Sequence, residues 1–124
     1  MYSNGYSVYK NNSVNYSSKE QLLLMLVDRA VKFAKIGKQA ILDNDVQKAH
    51  NALVRVQDIF VELMSTLDRS AGDWAEKLFM VYEYIKEKLF EANIKKDVTI
   101  LDEILPLIEG IRDTWNEAYR IAKR

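Results

Sequence analysis

Val46-Gln-Lys-Ala-His-Asn-Ala-Leu-Val-Arg-Val-Gln-Asp-Ile-Phe-Val-Glu-Leu-Met-Ser-Thr-Leu67 decides the fold. Val46, Ala49, Leu53, Val56, Phe60, Leu63 and Leu67 recur at alternating spacings of three and four, the signature of one helical seam. His50, Val54, Gln57, Val61 and Met64 form a second stripe, turned away from the first by a little more than one residue's rotation. Two apolar stripes on one helix imply two neighbours, so this helix lies inside an assembly of several.

The flanking segments supply them. Ser18 can cap a first helix, with Gln21 completing a capping box. That helix runs to about Leu42 on a seam of Leu23, Leu26, Ala30, Phe33, Gly37 and Ala40, widened by Leu22, Val27, Ala34 and Ile41. Leu24 and Val31 fall off that face. Ser70 can cap a third helix, closed by Asn93 to Asp97, with its seam at Ala75, Leu78, Tyr82, Ile85, Leu89 and Ala92. Asp97 or Thr99 caps a fourth, whose seam is Leu101, Ile104, Ile108, Ile111, Trp115, Ala118 and Ala122, beside Ile100, Leu107 and Ile121. Pro106 removes one backbone hydrogen bond and predicts a bend, but the seam continues across it. Four helices at about 18–42, 45–67, 70–94 and 97–123, joined by short turns, predict an all-α, antiparallel up-down four-helix bundle over 18–124.

Residues 1–17 differ in kind. They are rich in Ser and Asn, and they carry Tyr2, Tyr6, Tyr9 and Tyr16 without a helical period. The pattern predicts a mobile tail, with Tyr6 and Tyr9 able to cap an apolar groove.

Composition narrows the function. The 124 residues hold 18 basic and 18 acidic side chains, so no net charge draws the chain to nucleic acid or to an anionic membrane. No apolar run approaches a membrane span, and the absence of cysteine fits a cytoplasmic (cytosolic) protein. With a single histidine and no cysteine, the usual nucleophile–base pairs cannot be assembled, and no enzyme is predicted. A two-iron centre needs Glu-x-x-His on two helices, whereas His50 has Gln47 at that place, so no metal or other cofactor is predicted. His50 reads as a boundary residue of the second stripe.

A bundle core does not use all of this apolar surface. Met80 stands among Glu76, Glu83 and Glu87, on a side where the core cannot lie, and Tyr84 follows it. With Leu24, Val31, Val54, Val61, Met64, Ile100, Leu107 and Ile121, these off-seam residues are candidates for contact with a partner, Met80 first because methionine adapts to irregular surfaces.

The order of residues resembles the FliS family of flagellin-specific secretion chaperones. Gln21-Leu22-Leu23-Leu24-Met25-Leu26 with Ala30-Val31-Lys32-Phe33 resembles its first-helix block. Val56-Gln57-Asp58-Ile59, Glu62-Leu63 and Leu67-Asp68 resemble its second. Leu78, Tyr82, Tyr84-Ile85, Leu89 and Glu91-Ala92-Asn93 resemble the third, and Leu107-Ile108, Ile111-Arg112, Thr114-Trp115 and Glu117-Ala118 the fourth. Tyr6 and Tyr9 fit the family's aromatic tail, while Val27 and Lys19 depart from its common tyrosine and proline.

The resemblance implies a cytoplasmic chaperone that binds the disordered C-terminal segment of flagellin, prevents premature polymerisation and assists its export by the flagellar type III secretion apparatus. Components of the export gate are further partners it implies. The chain itself is expected as a monomer or homodimer. The alternative is a homo-oligomeric bundle of structural or regulatory role, in which the extra apolar faces meet a second copy.

Overall fold

The computed structural model describes the backbone of residues 4–122 and the side chains of residues 19–122. Four helices follow one another: α1 (Asn4–Leu42), α2 (Val46–Thr66), α3 (Asp73–Lys95) and α4 (Val98–Ala122). A single 3-10 turn, Arg69–Ala71, precedes α3. No strand occurs among the described residues. The helices form the predicted bundle, in which α1 packs between α2 and α4, and α3 closes the ring against the same two. Ion pairs from Lys35 to Glu109 and from Lys38 to Asp102 run in opposite chain directions, which fixes α1 and α4 as antiparallel.

The seams meet along the axis. Val27, Ala30, Ala34, Leu53, Val56, Phe60, Leu63, Tyr82, Ile85, Leu89, Leu101, Ile104 and Ile108 are buried and belong to one cluster. Tyr82 is the largest side chain fully enclosed, and its ring meets Phe60 edge-on at 5.8 Å between centroids. Enclosing a hydroxyl without a partner costs about 1–3 kcal/mol. Here the Trp115 indole N–H donates to the Tyr82 oxygen at 2.9 Å. Burial pushes the Tyr82 phenol pKa up, and the bond from Trp115 offsets part of that rise.

Short polar turns set the helix ends. Asn44 and Lys96 take left-handed backbone with φ of 60° and 51°, and turn the chain after α1 and α3. Asp45 caps α2 by accepting from the Lys48 amide at 3.1 Å. Asp97 accepts from the Thr99 amide and hydroxyl at 2.9 and 2.6 Å, and these bonds hold its carboxyl below its usual range.

Three details depart from the sequence reading. First, α1 starts at Asn4 rather than at Ser18, its backbone continuing through the segment set apart as a tail. Ser, Asn and Tyr cost only a few tenths of a kcal/mol each in a helix, and no proline interrupts them. The side chains of Tyr6 and Tyr9 lie outside the described residues. Second, Ser70 does not cap α3. The Asp68 carboxylate accepts from the Ser70 amide in the 3-10 turn, and Gly72, at φ 144°, leads into α3 at Asp73. As its continuous seam predicted, α4 is a single helix through Pro106. The carbonyl that loses its partner belongs to Asp102, and both residues are exposed, so water can serve it. Third, Ala118 and Ala122, placed on the α4 seam, are exposed. The buried part of that seam ends at Ile111, with Trp115 half-buried beyond it.

At Gly37, α1 packs directly against α2. A Cβ built there would stand 2.7 Å from Leu53 Cδ2 and 3.0 Å from its Cγ, inside contact distance of a side chain that is itself fully buried. Any larger residue here would force the buried Leu53 side chain to shift.

Candidate partner-binding surfaces

The second stripe of α2 lies beside α3, and between them runs a shallow trough. Its wider part holds about 540 Å³ and is lined by His50, Val54, Gln57, Asp58, Phe90, Asn93, Ile94 and Lys96. It continues as a hollow of about 340 Å³ past Val61, Lys86 and Glu87, with Gln57, Asp58 and Phe90 common to both parts. Val61, Phe90 and Ile94 are 51%, 56% and 66% exposed, so three large apolar side chains stand open along one line. The trough exists because the α2 seam and the α3 seam both point past it into the core, leaving these flanking residues at the rim.

Its end nearest the α3–α4 turn is polar. Asn93 is buried, its side-chain amide lies 3.1 Å from His50 Nδ1, and its Oδ1 accepts from Lys96 Nζ at 2.9 Å.

A second surface covers the outer side of α3. Met80 is 62% exposed and Tyr84 41%, four residues apart and opposite the Tyr82 seam. Val81 is exposed beside them. Lys88 lies over the Tyr84 ring at 5.8 Å. The charge of Glu91, then Tyr84, then Glu103 across on α4 hold Lys88 above the usual lysine range. Leu107, one helical turn beyond Glu103, is exposed, and Gly110 has open space where a Cβ would stand.

Two further hollows lie where α2 ends and α3 begins. Leu23, Leu24, Trp115, Ala118, Tyr119 and Ala122 line one of about 240 Å³ between α1 and α4, with Glu20 at its edge. Leu22, Leu23 and Leu26 line another of about 460 Å³ with Lys19, Glu62 and Thr66, between α1 and α2. Nearby, Arg69 donates to both carboxylate oxygens of Glu76 at 2.8 and 2.7 Å and stacks over Phe79 at 3.8 Å, which leaves Glu76 with a depressed pKa.

The residues singled out from the sequence therefore fall on separate surfaces. Val54 and Val61 belong to the α2/α3 trough. Met80 and Tyr84 form the outer face of α3, with Leu107 exposed on α4. Leu24 lines the α1/α4 hollow, and Ile121 is exposed near it. Met64 is half-buried and packs on the core, as does Ile100. Val31 is corrected outright, being 4% exposed within the core cluster. Its flank of α1 faces α4, and a helix held between two neighbours buries a wider arc than its seam alone.

Phe90, Ile94, Leu22 and Met25 are exposed apolar side chains that the sequence reading did not assign to a surface. The signal for two of them was present: Phe90 and Ile94 are four apart and off the Tyr82 seam, matching the spacing of Met80 and Tyr84.

Among the described residues no group of acidic or histidine side chains could hold a metal ion. Among the described residues no helix is long and apolar enough to cross a membrane.

Comparison with known proteins covers nearly the whole chain. A family model described as flagellar protein FliS matches residues 2–122. The flagellar secretion chaperone FliS of Bacillus subtilis (strain 168) is 32% identical over 121 residues, spanning 98% of this chain and 90% of that protein. The chaperone of the same name from Campylobacter jejuni is 27% identical over 115 residues, with 92% and 90% covered. That of Escherichia coli (strain K12) is 28% identical over 109 residues, with 86% and 80% covered. Among solved structures, a flagellar chaperone from bacteria superposes with a TM-score of 0.76 over 94% of this chain and 95% of its own, at 18% identity. That last likeness is one of fold.

Proposed function

The chain belongs to the FliS family of flagellar secretion chaperones, and from that premise we propose that it binds the disordered C-terminal segment of flagellin in the cytosol. Binding there keeps flagellin from polymerising early and assists its delivery to the flagellar type III export apparatus, whose gate components are further partners. No catalytic step belongs to this reading.

The observation that carries it is the α2/α3 trough together with the outer face of α3. The core is closed by Tyr82, Phe60, Leu53 and their neighbours. Val61, Phe90, Ile94, Met80 and Tyr84 are left over, exposed on a bundle that does not need them. A disordered segment can lay apolar anchors along such surfaces and order as it does so. The ordering cost keeps the complex releasable, as delivery to an export apparatus requires.

The test is a pull-down followed by calorimetry, using full-length flagellin and flagellin lacking its C-terminal segment. Capture of the first and loss of the second is the expected result. Equal capture of both would overturn the reading. A dimer in light scattering that hides Phe90 and Met80 and ignores flagellin would replace it with the homo-oligomeric alternative.

Residues 1–17 enter as a regulator. To do so the segment leaves its helical course beyond Ser18, so that in the free chain Tyr6 and Tyr9 occupy part of the docking surface and give it up when flagellin arrives, which lowers apparent affinity by the fraction of chains that are open. Deleting residues 1–16 then tightens or speeds binding in stopped flow. Unchanged or weaker binding would count against the cap.

A further inference from the structure

We propose that the polar end of the α2/α3 trough, built from His50, Asn93 and Lys96, receives the free carboxylate at the very C-terminus of the bound segment. This rests on the reading above that the segment is a protein's C-terminal end.

The hydrogen bonds at this place leave donors unspent. Lys96 Nζ donates to Asn93 Oδ1 at 2.9 Å and also to the Asn93 backbone carbonyl. With its oxygen taken, the Asn93 amide nitrogen is the group that donates to His50 Nδ1, 3.1 Å away. The accepting Nδ1 carries no proton, so the neutral imidazole bears it on Nε2 and has one N–H to offer. An ammonium has three protons, and Lys96 uses two of them on neutral oxygens. It has no carboxylate partner among the described residues, where every ion pair involves other cations.

Backbone geometry places this charge. Lys96 sits at φ 51°, its amide bonded back to the Ala92 carbonyl, so its side chain is directed over the last turn of α3 and is half-buried. Two donors, one of them cationic, thus stand at one end of a trough whose walls are Val54, Phe90 and Ile94.

That combination fits a chain terminus better than an internal stretch of the same segment. Apolar side chains preceding the terminus lie along the walls, and the carboxylate takes one bond from Lys96 Nζ and one from His50 Nε2. Bonds to an ionised acceptor are about twice as strong as neutral ones. The polar end therefore sets the direction of the segment, which enters along Val61 and finishes at Lys96.

Calorimetry with two synthetic peptides tests this. Both carry the flagellin C-terminal sequence, one ending as the free acid and the other as the amide. Each is titrated into the full chain and into Lys96→Asn, a residue that tolerates the left-handed backbone and lacks the charge. The free acid is expected to bind the native chain roughly fivefold to tenfold more tightly, the worth of one charge-assisted bond at a partly open site. That preference is expected to fall below about twofold in Lys96→Asn, where only the neutral His50 donor remains, and the melting temperature of the variant checks that the turn is intact.

Equal affinity of acid and amide for the native chain would overturn the proposal while leaving flagellin binding in place. A preference left at full size in Lys96→Asn would overturn it too. So would equal weakening of both peptides by Lys96→Asn, which would assign the charge to an acidic side chain of the segment. If full-length flagellin itself fails to bind, the parent reading falls instead.

Discussion

The layer of Phe60, Tyr82 and Trp115 and the trough of Val54, Phe90 and Ile94 are built from similar side chains on neighbouring helices, yet one is sealed and the other open. Phe60 and Tyr82 have lost contact with water, and the one polar group between them is bonded to Trp115. Phe90 and Ile94 keep more than half of their surface in water. The free energy that burial yields, about 25 cal/mol per Å² of apolar area, is spent on folding in the first region and remains available for a partner in the second. Mutations in the two regions should therefore fail in different ways.

Phe60→Ala gives the largest expected effect. It opens a cavity at the centre of the layer and should lower stability by about 3–5 kcal/mol in urea unfolding. A loss under 1 kcal/mol would mean that the layer can collapse around the gap. Gly37→Ala comes next. Its methyl group would press on Leu53, and the resulting strain, about 1–3 kcal/mol for overpacking, exceeds the helix propensity gained from alanine. Thermal melting reads the net loss.

Phe90→Ser moves the measurement to the other region. Stability should change by less than about 0.5 kcal/mol, as for surface sites generally, whereas affinity for the flagellin segment should fall about tenfold. Lost stability with unchanged affinity would erase the distinction between the two regions. Gly110→Ala is the counterpart of Gly37→Ala. The space around it is open, so the substitution should stabilise by about 0.5–1 kcal/mol through the unfolded chain.

The smallest effect is a slope with pH. Burial raises the Tyr82 pKa above that of the unfolded phenol, about 10. The native state then holds the proton where the unfolded state releases it. This contribution is fully present below about pH 10 and is lost as pH rises through the native value. Tyr82→Phe should flatten that alkaline limb in pH-dependent unfolding, and an unchanged limb would assign it to another group.

Most of the fold was legible along the chain. The spacing of Ala49, Leu53, Val56, Phe60 and Leu63 names a helix and its inward face without reference to anything distant, because helical geometry brings residues three and four apart onto one side. The same reasoning placed α3 and α4 within a few residues of their ends. It misplaced the cap of α3, where Asp68 and Ser70 bond to each other instead.

The surfaces were less legible. Val31 and Phe90 both lie off their seams, and periodicity treats them alike. Val31 is covered because its flank of α1, which also carries Lys35 and Lys38, packs against α4, while the flank of α3 that carries Phe90 meets the rim of α2 and stays open. The link between His50 and Asn93, 43 positions apart, leaves no local trace in either segment.

By itself, then, the sequence determined four helices, their inward faces and the up-down order that short turns enforce, because each depends on neighbours along the chain. Only the tertiary structure decided which flanks are covered, where the α2/α3 trough runs, and that His50, Asn93 and Lys96 share one end of it. Those features depend on the distance between helices far apart in sequence, which the period of a single helix does not encode.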